Sequence, residues 1–105
     1  MAGSMVDGAL VAVLDVLLDA WDRQAEVHGW EIMHRSRRSG PVVYRALDRL
    51  EEMGWITASW EALKAGEQRP RLRYYRIVAE KVDLARARTA GYHRPSPRLR
   101  PRFGT

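Results

Sequence analysis

Residues 41–60, PVVYRALDRLEEMGWITASW, carry the pattern of a helix followed at once by a strand. Three apolar residues recur at helical spacing in its first part: Val43, Leu47 and Leu50. Pro41 suits a first helical turn, because its missing N–H would have no intrahelical partner there, and Gly54 is the residue type that most readily ends a helix. The aromatic and β-branched residues that follow favour a strand over 55–60. The stretch therefore predicts a helix over 41–53 and a strand directly after it.

A second strand is predicted over residues 72–78, LRYYRIV, after a polar and turn-like segment. Two strands around a basic loop form a hairpin, or wing. Side chains alternate across a strand, so Tyr75 and Ile77 should pack on the protein. Arg71 and Arg73 share their parity but lie nearer the loop, and they should reach past the protein body toward a partner.

Three further helices are predicted. The first starts at Met5, and its two faces differ in character: Leu10, Leu14, Leu17 and Trp21 lie on one side, with Asp15, Asp19 and Asp22 opposite. A short second helix is predicted over 30–37, with His28 fixing its start. A last helix is predicted over 79–90, with Gly91 as its stop.

The predicted fold class is mainly α with a small β-hairpin (α+β). It is a winged helix-turn-helix with three helices, a two-stranded wing and a short C-terminal helix. Residues 9–90 form this domain. Residues 1–8 are predicted to be a flexible start, and residues 91–105 a basic tail of arginine and proline that is disordered when free.

Charge is unevenly distributed along the chain. Residues 1–34 hold one basic and six acidic residues, a net charge of −5, whereas residues 35–105 hold 17 basic and 7 acidic residues, a net charge of +10. A positive field of this kind belongs to the predicted helix-turn-helix, wing and tail. A polyanion such as nucleic acid is its natural partner.

Several classes of protein are excluded by what the sequence lacks. Cysteine is absent, which rules out disulfides, thiolate catalysis and cysteine-bound zinc. The longest apolar segment, 9–18, is interrupted by Asp15 and is too short to span a bilayer. His28, His34 and His93 show no metal-ligand spacing, and no nucleophile motif or phosphate loop accompanies them. We expect a cytoplasmic protein that is not an enzyme and uses no metal, cofactor or membrane.

Three segments together resemble the PadR family of winged helix-turn-helix regulators. HGWEI at 28–32 is similar to the family's opening of the second helix, VYRALDRLEEMGWI at 43–56 to its recognition helix and first wing strand, and RYYRI at 73–77 to its second wing strand. The resemblance implies a bacterial, nucleoid-associated transcriptional regulator, a repressor, that binds double-stranded DNA as a homodimer. The helix over 41–53 would read the major groove, and the basic wing would contact the phosphate backbone.

The sequence departs from the family at two points that bear on function. Pro41 and Val42 stand where the family has Gly-Thr, so a hydroxyl that could bind phosphate is lost. The long C-terminal dimerisation helix of the family is shortened here. We therefore expect a homodimer formed by the short C-terminal helix and by the wide apolar stripe of the first helix: Leu10, Leu14 and Leu18. The alternative is that this stripe is simply core. A small-molecule effector also stays open, on fold resemblance alone.

The expected DNA contacts fall into three groups. Tyr44, by resemblance, contacts the DNA backbone, and Arg45 and Arg49 face bases, although an ion pair with Asp48 or Glu52 is the alternative for the two arginines. A basic edge before the recognition helix should bind phosphate: Arg37, Arg38 and Ser39. The wing should bind phosphate through Lys64, Arg69, Arg71 and Arg73. The four tryptophans are expected to be core.

Two other functions fit the same residues. One is a protein–protein interaction module that kept the winged fold, which the loss of Gly-Thr favours. The other is a non-specific nucleic-acid binder driven by the basic tail, whose arginines are spaced by prolines.

Overall fold

A computed structural model of the chain describes residues 2–93, and their side chains from Gly8 onward. The elements in order are α1 (Ala2–Asp22), β1 (Val27–His28), α2 (Gly29–Ser36), α3 (Gly40–Glu52), β2 (Ile56–Trp60), β3 (Arg73–Ile77), a 3-10 turn (Ala79–Lys81) and α4 (Val82–His93). The fold class is confirmed: within these residues, four helices and a small antiparallel sheet form a winged-helix arrangement. None of the helices in this part of the chain has both the length and the apolar content to cross a membrane.

Helix α1 is the central element. It packs against α2, α3, α4 and β3, so its wide apolar stripe is covered by the protein's own elements. Leu10, Leu14 and Leu18 are only 1%, 0% and 6% exposed. The prediction that these three leucines form a dimer interface is therefore wrong, and the core interpretation is the correct one.

The start of α1 also differs from the prediction. The helix begins at Ala2 rather than Met5, so residues 2–8 of the segment expected to be a flexible start have a helical backbone. No proline precedes Pro41, and the glycines in the segment weaken a helix by about 1 kcal/mol each without breaking it.

The acidic face of α1 is exposed, as its spacing predicts, and it makes ion pairs with the helices on either side. Asp19 pairs with Arg35 of α2, and Asp22 pairs with Arg86 of α4. The hydrogen bond from Arg35 lowers the pKa of Asp19, and that from Arg86 lowers the pKa of Asp22. These two carboxylates therefore stay ionised at neutral pH and link the two outer helices to α1.

The sheet has three strands rather than two. Its order is β1-β3-β2, with Val27 opposite Tyr75, and Trp60 opposite Arg73. Strand β1 was missed because two residues are too few to show the alternation that identifies a strand. The alternation of β3 is confirmed, because Tyr75 and Ile77 are 4% and 1% exposed.

Local contacts and backbone conformations mark the ends of α2 and α3, which are joined by a turn of three residues, 37–39. The side chain of His28 accepts a hydrogen bond from the Glu31 N–H at 3.3 Å, which caps the start of α2 as expected. Arg37 ends α2 in a left-handed conformation with φ of 57°. Ser39 stands at the N-cap of α3, but its hydroxyl makes no capping bond. Gly54 follows α3 with φ of +75°, the conformation that glycine adopts with least strain.

Helix α4 packs on α1 through one face: Val82, Ala85 and Thr89. Gly91 does not stop the helix, which continues through His93. The reason is tertiary contact, since Tyr92 lies against α1, where a Cβ on Gly8 would be 3.0 Å from its hydroxyl. His93 adds a bond to Asp15 at 2.9 Å. Most of the predicted basic tail, residues 94–105, lies outside the described residues.

Candidate nucleic-acid interface

The outer face of α3 carries two cations with no internal partner. The inner face of the helix is fully buried through Val43, Leu47 and Leu50, which fixes its orientation. Arg45 and Arg49, one turn apart, are exposed on the other side. Within residues 8–93 neither guanidinium makes a hydrogen bond or an ion pair, so the alternative pairing with acidic neighbours is not formed. Both are available to an external acceptor.

Tyr44 lies where α3 meets the start of α2. Its ring is 44% exposed, and its hydroxyl lies so close to Gly29 that a Cβ there would be 2.2 Å from it. The sequence segments 28–32 and 43–56 therefore touch each other at this point. The phenol is held at the N-terminal end of α2 and still faces solvent.

The residues of the α2–α3 turn have different surroundings. The backbone N–H of Arg37 donates to the carbonyl of Met33 at the end of α2, while the Arg37 side chain is exposed. The guanidinium of Arg38 donates to the carbonyl of Gly8 at 3.4 Å. This bond orients Arg38 along α1 without cancelling its charge. Ser39 is exposed beside them, so the turn presents two cations and a hydroxyl.

The wing is less basic in effect than its composition suggests. Arg69 forms a two-pronged pair with Glu61, with nitrogen–oxygen distances of 2.6 and 2.7 Å. Arg73 pairs with Glu51 at 3.5 Å, and its guanidinium lies 5.2 Å from the centre of the Trp60 ring. Two of the four predicted wing cations are thus neutralised internally. Lys64 and Arg71 are exposed, and their side-chain charges have no partner among the described residues.

Electrostatics reinforces the pairing at the wing. The hydrogen bonds from Arg69, and then from the Leu72 N–H, lower the pKa of Glu61 to about 2. Glu61 is therefore ionised at neutral pH, where it offsets the charge of Arg69.

Two features of the surface escaped the sequence prediction. Trp30 and Trp60 are 66% and 59% exposed, so the expectation of four core tryptophans is wrong for these two. Each lies against one planar neighbour: Trp30 stacks on the His34 ring with 5.6 Å between ring centres, and Trp60 lies beneath the guanidinium of Arg73. Arg76 is exposed on the outer side of β3, beside Trp21 and Gln24. Side chains alternate along a strand, and the sequence predicted Tyr75 to point inward. The same alternation could have predicted that Arg76 lies on the outer side of β3.

A helix-turn-helix formed by α2 and α3, followed by the antiparallel hairpin of β2 and β3, is the arrangement that defines the winged-helix class. A scan of family models and a search of curated proteins found no match to this sequence. Among solved structures, the circadian clock associated protein Pex from Anabaena is 31% identical, with a TM-score of 0.62, over 83% of this chain and 76% of that one. A PadR family transcription regulator from Clostridium difficile is 21% identical, with a TM-score of 0.53, over 83% and 85% of the two chains. The chain belongs to the PadR-like winged-helix family.

Proposed function

We propose that this protein is a bacterial DNA-binding transcriptional regulator, a repressor, that inserts α3 into the major groove of double-stranded DNA. The observation that carries the proposal is the pair of unpaired, exposed guanidinium groups of Arg45 and Arg49 on a helix whose other face is completely buried. A helix fits the major groove, and arginine can bond both acceptors of guanine at once. A rigid helix with such groups facing outward is suited to that contact.

Phosphate contacts flank α3 in this proposal. The turn residues Arg37, Arg38 and Ser39 precede the helix, and Tyr44 lies at the start of its second turn. On the other side, Lys64 and Arg71 of the wing carry charges that no acid of the described chain cancels. Contacts of this kind hold a protein in register on the duplex but do not read sequence. Arg69 and Arg73 contribute less, because each would first have to leave a carboxylate.

The proposed assembly is a homodimer on the bacterial nucleoid, formed through the outer face of α4. That face carries Leu84, which is 52% exposed. The Leu84→Glu variant should be monomeric in light scattering at a concentration at which the parent chain is dimeric. A parent chain that is monomeric at every concentration would refute the dimer.

The test of the proposal compares alanine variants of three exposed arginines. The preferred site is first selected from genomic fragments, and affinity is then measured on that site and on random duplex. Arg45→Ala should lose about 10–100-fold on the selected site, the value of one bidentate base contact, with little change on random DNA. Arg71→Ala should weaken binding to both alike and reduce the salt slope by about 1.

Arg76→Ala is the matched control, since it removes the same charge from the outer side of the sheet, beside α1. It should change binding little. Equal losses from Arg45→Ala and Arg76→Ala on every sequence would mean that net charge alone drives binding, and base reading by α3 would be refuted. Deleting residues 94–105 tests the tail-driven alternative: a specific regulator keeps its site preference without them.

A protein–protein module is the second candidate, and the exposed indole of Trp30 favours it. This candidate predicts no retention on heparin and no shift of duplex DNA at moderate salt, whereas the regulator predicts both.

A further inference from the structure

The base of the wing loop is closed by a single residue. Glu61 follows β2, and its backbone N–H donates to the carbonyl of Leu72 at 2.7 Å. The Leu72 N–H returns a bond to the Glu61 carboxylate at 3.2 Å. The backbone and the side chain of Glu61 therefore both hold the start of the loop to its end.

The same carboxylate also holds the returning side of the loop. Arg69 donates one N–H to each oxygen of Glu61, at 2.6 and 2.7 Å. Glu67 adds a weaker contact to the Arg69 Nε at 3.4 Å, and its carboxylate accepts the Lys64 N–H at 2.7 Å. The Glu61 side chain is 18% exposed, against 47% for that of Arg69. A single exposed pair contributes little to stability, but a two-pronged pair joined to a backbone bond restricts geometry more strongly.

We propose that Glu61 is a positioning residue that closes the wing and withholds Arg69 from the DNA backbone. This inference rests on the proposed function. A phosphate that approaches the wing must compete with two short hydrogen bonds for the Arg69 guanidinium. The wing therefore offers fewer cations to any sequence of DNA than its four basic residues would suggest.

The consequence concerns specificity. Sequence-independent affinity grows with the number of phosphates that a protein neutralises, and each contact makes binding more sensitive to salt. With Arg69 withheld, the wing positions the protein without strong binding to random duplex. The difference in affinity between a correct and an incorrect DNA site then depends more on the base contacts of α3.

The experiment replaces Glu61 by glutamine and follows binding to a random-sequence duplex over a series of salt concentrations. Glu61→Gln removes the charge and keeps the shape, and it leaves Arg69 one uncharged acceptor in place of two charged ones, which weakens the hold on its guanidinium. Its affinity for random duplex should rise several-fold, and the slope of log K against log salt should steepen by about 0.9, the value of one added phosphate contact. The double variant Glu61→Gln with Arg69→Ala should lose this gain. An unchanged slope in Glu61→Gln would overturn the proposal.

Glu67→Gln is the matched control. It changes net charge by the same amount in the same loop, but leaves the two short bonds between Glu61 and Arg69 in place. Its slope should steepen less than that of Glu61→Gln. If the two variants steepened the slope equally, the change would come from net charge alone. The proposal that Glu61 withholds Arg69 would then be refuted.

Hydrogen exchange without DNA separates this inference from the proposed function. The Leu72 amide should exchange faster in Glu61→Ala than in the parent chain, with unchanged exchange in the core of α1 as the sign of an intact fold. Equal exchange at Leu72 would refute the closure of the loop. A parent chain that protects Leu72 but binds no duplex would refute the proposed function, and with it the role given to Arg69 on DNA, while the closure itself would stand.

Discussion

The contact between Gly29 and Tyr44 makes a sharp prediction about stability. Gly29 is buried at the first position of α2, and its backbone is outside the left-handed region, so alanine meets no conformational barrier there. The cost of Gly29→Ala comes only from space. The new Cβ would lie 2.2, 2.7 and 2.9 Å from the hydroxyl oxygen, Cζ and Cε1 of Tyr44.

The magnitude follows from how freely the ring can move away. Overpacking in a tight site costs about 1–3 kcal/mol. Because Tyr44 is 44% exposed, its ring can swing toward solvent, and we expect the lower part of that range, about 1–2 kcal/mol. The displaced phenol should also weaken binding to random and selected DNA alike, since its proposed contact is with the backbone.

A double-mutant cycle measures the effect. Urea unfolding of the parent chain, Gly29→Ala, Tyr44→Ala and the double variant should give a coupling of about 1 kcal/mol or more, since alanine at 29 costs little once the ring is gone. Gly91→Ala is the control, because nothing lies within 4 Å of the new Cβ, and in a helix it should stabilise by about 0.5–1 kcal/mol. If Gly29→Ala costs the same with and without Tyr44, the steric argument is refuted.

Three further predictions concern the core, a turn and a titration. Leu14→Ala should lower the free energy of unfolding by about 2–5 kcal/mol without changing the oligomeric state of the native fraction in light scattering; dissociation would restore the interface role. Gly54→Ala should cost about 1 kcal/mol in urea unfolding, because φ is +75°, and Gly54→Asn should cost less. The pKa of Glu61 is lowered from 4.5 to about 2, so its contribution to wing closure is complete above pH 4.5 and is lost as the pH falls toward 2. A carboxyl resonance of Glu61 that titrates near 4.5 in the folded protein would contradict the pairing with Arg69.

Helix α3 was predictable because its signals are local. The buried stripe of Val43, Leu47 and Leu50 follows from spacing alone, and the observed helix, Gly40–Glu52, begins and ends one residue before the prediction. Proline and glycine at its two ends act on the backbone directly. The exposure of Arg45 and Arg49 follows from the same period, since a helix with one buried face must present the other.

The first helix was misassigned for a different reason. An apolar stripe shows that a face is covered, but it does not show whether the cover is the same chain or a second copy. Leu10, Leu14 and Leu18 are covered by α1's neighbours within the chain, which follow α1 in the sequence and contact it only through the tertiary fold. Strand β1 depends on the same kind of distant contact, because its two residues become a strand only by pairing with β3.

The wing shows why counting charges does not locate a nucleic-acid surface. Arg69 and Glu61 are eight residues apart on opposite sides of a loop, and no helical or strand period brings such residues together. The same holds for Arg73 and Glu51, which meet across the gap between α3 and the sheet. Once these pairs form, the unpaired guanidinium groups among the described residues include Arg45 and Arg49 on α3, Arg37 in the turn before it, and Arg71 in the wing loop. In the proposed function, Arg69 and Arg73 then serve mainly to shape the wing. Lys64 and Arg71 stay available to phosphate, and the choice between DNA sequences falls to α3, whose position is set by its buried face.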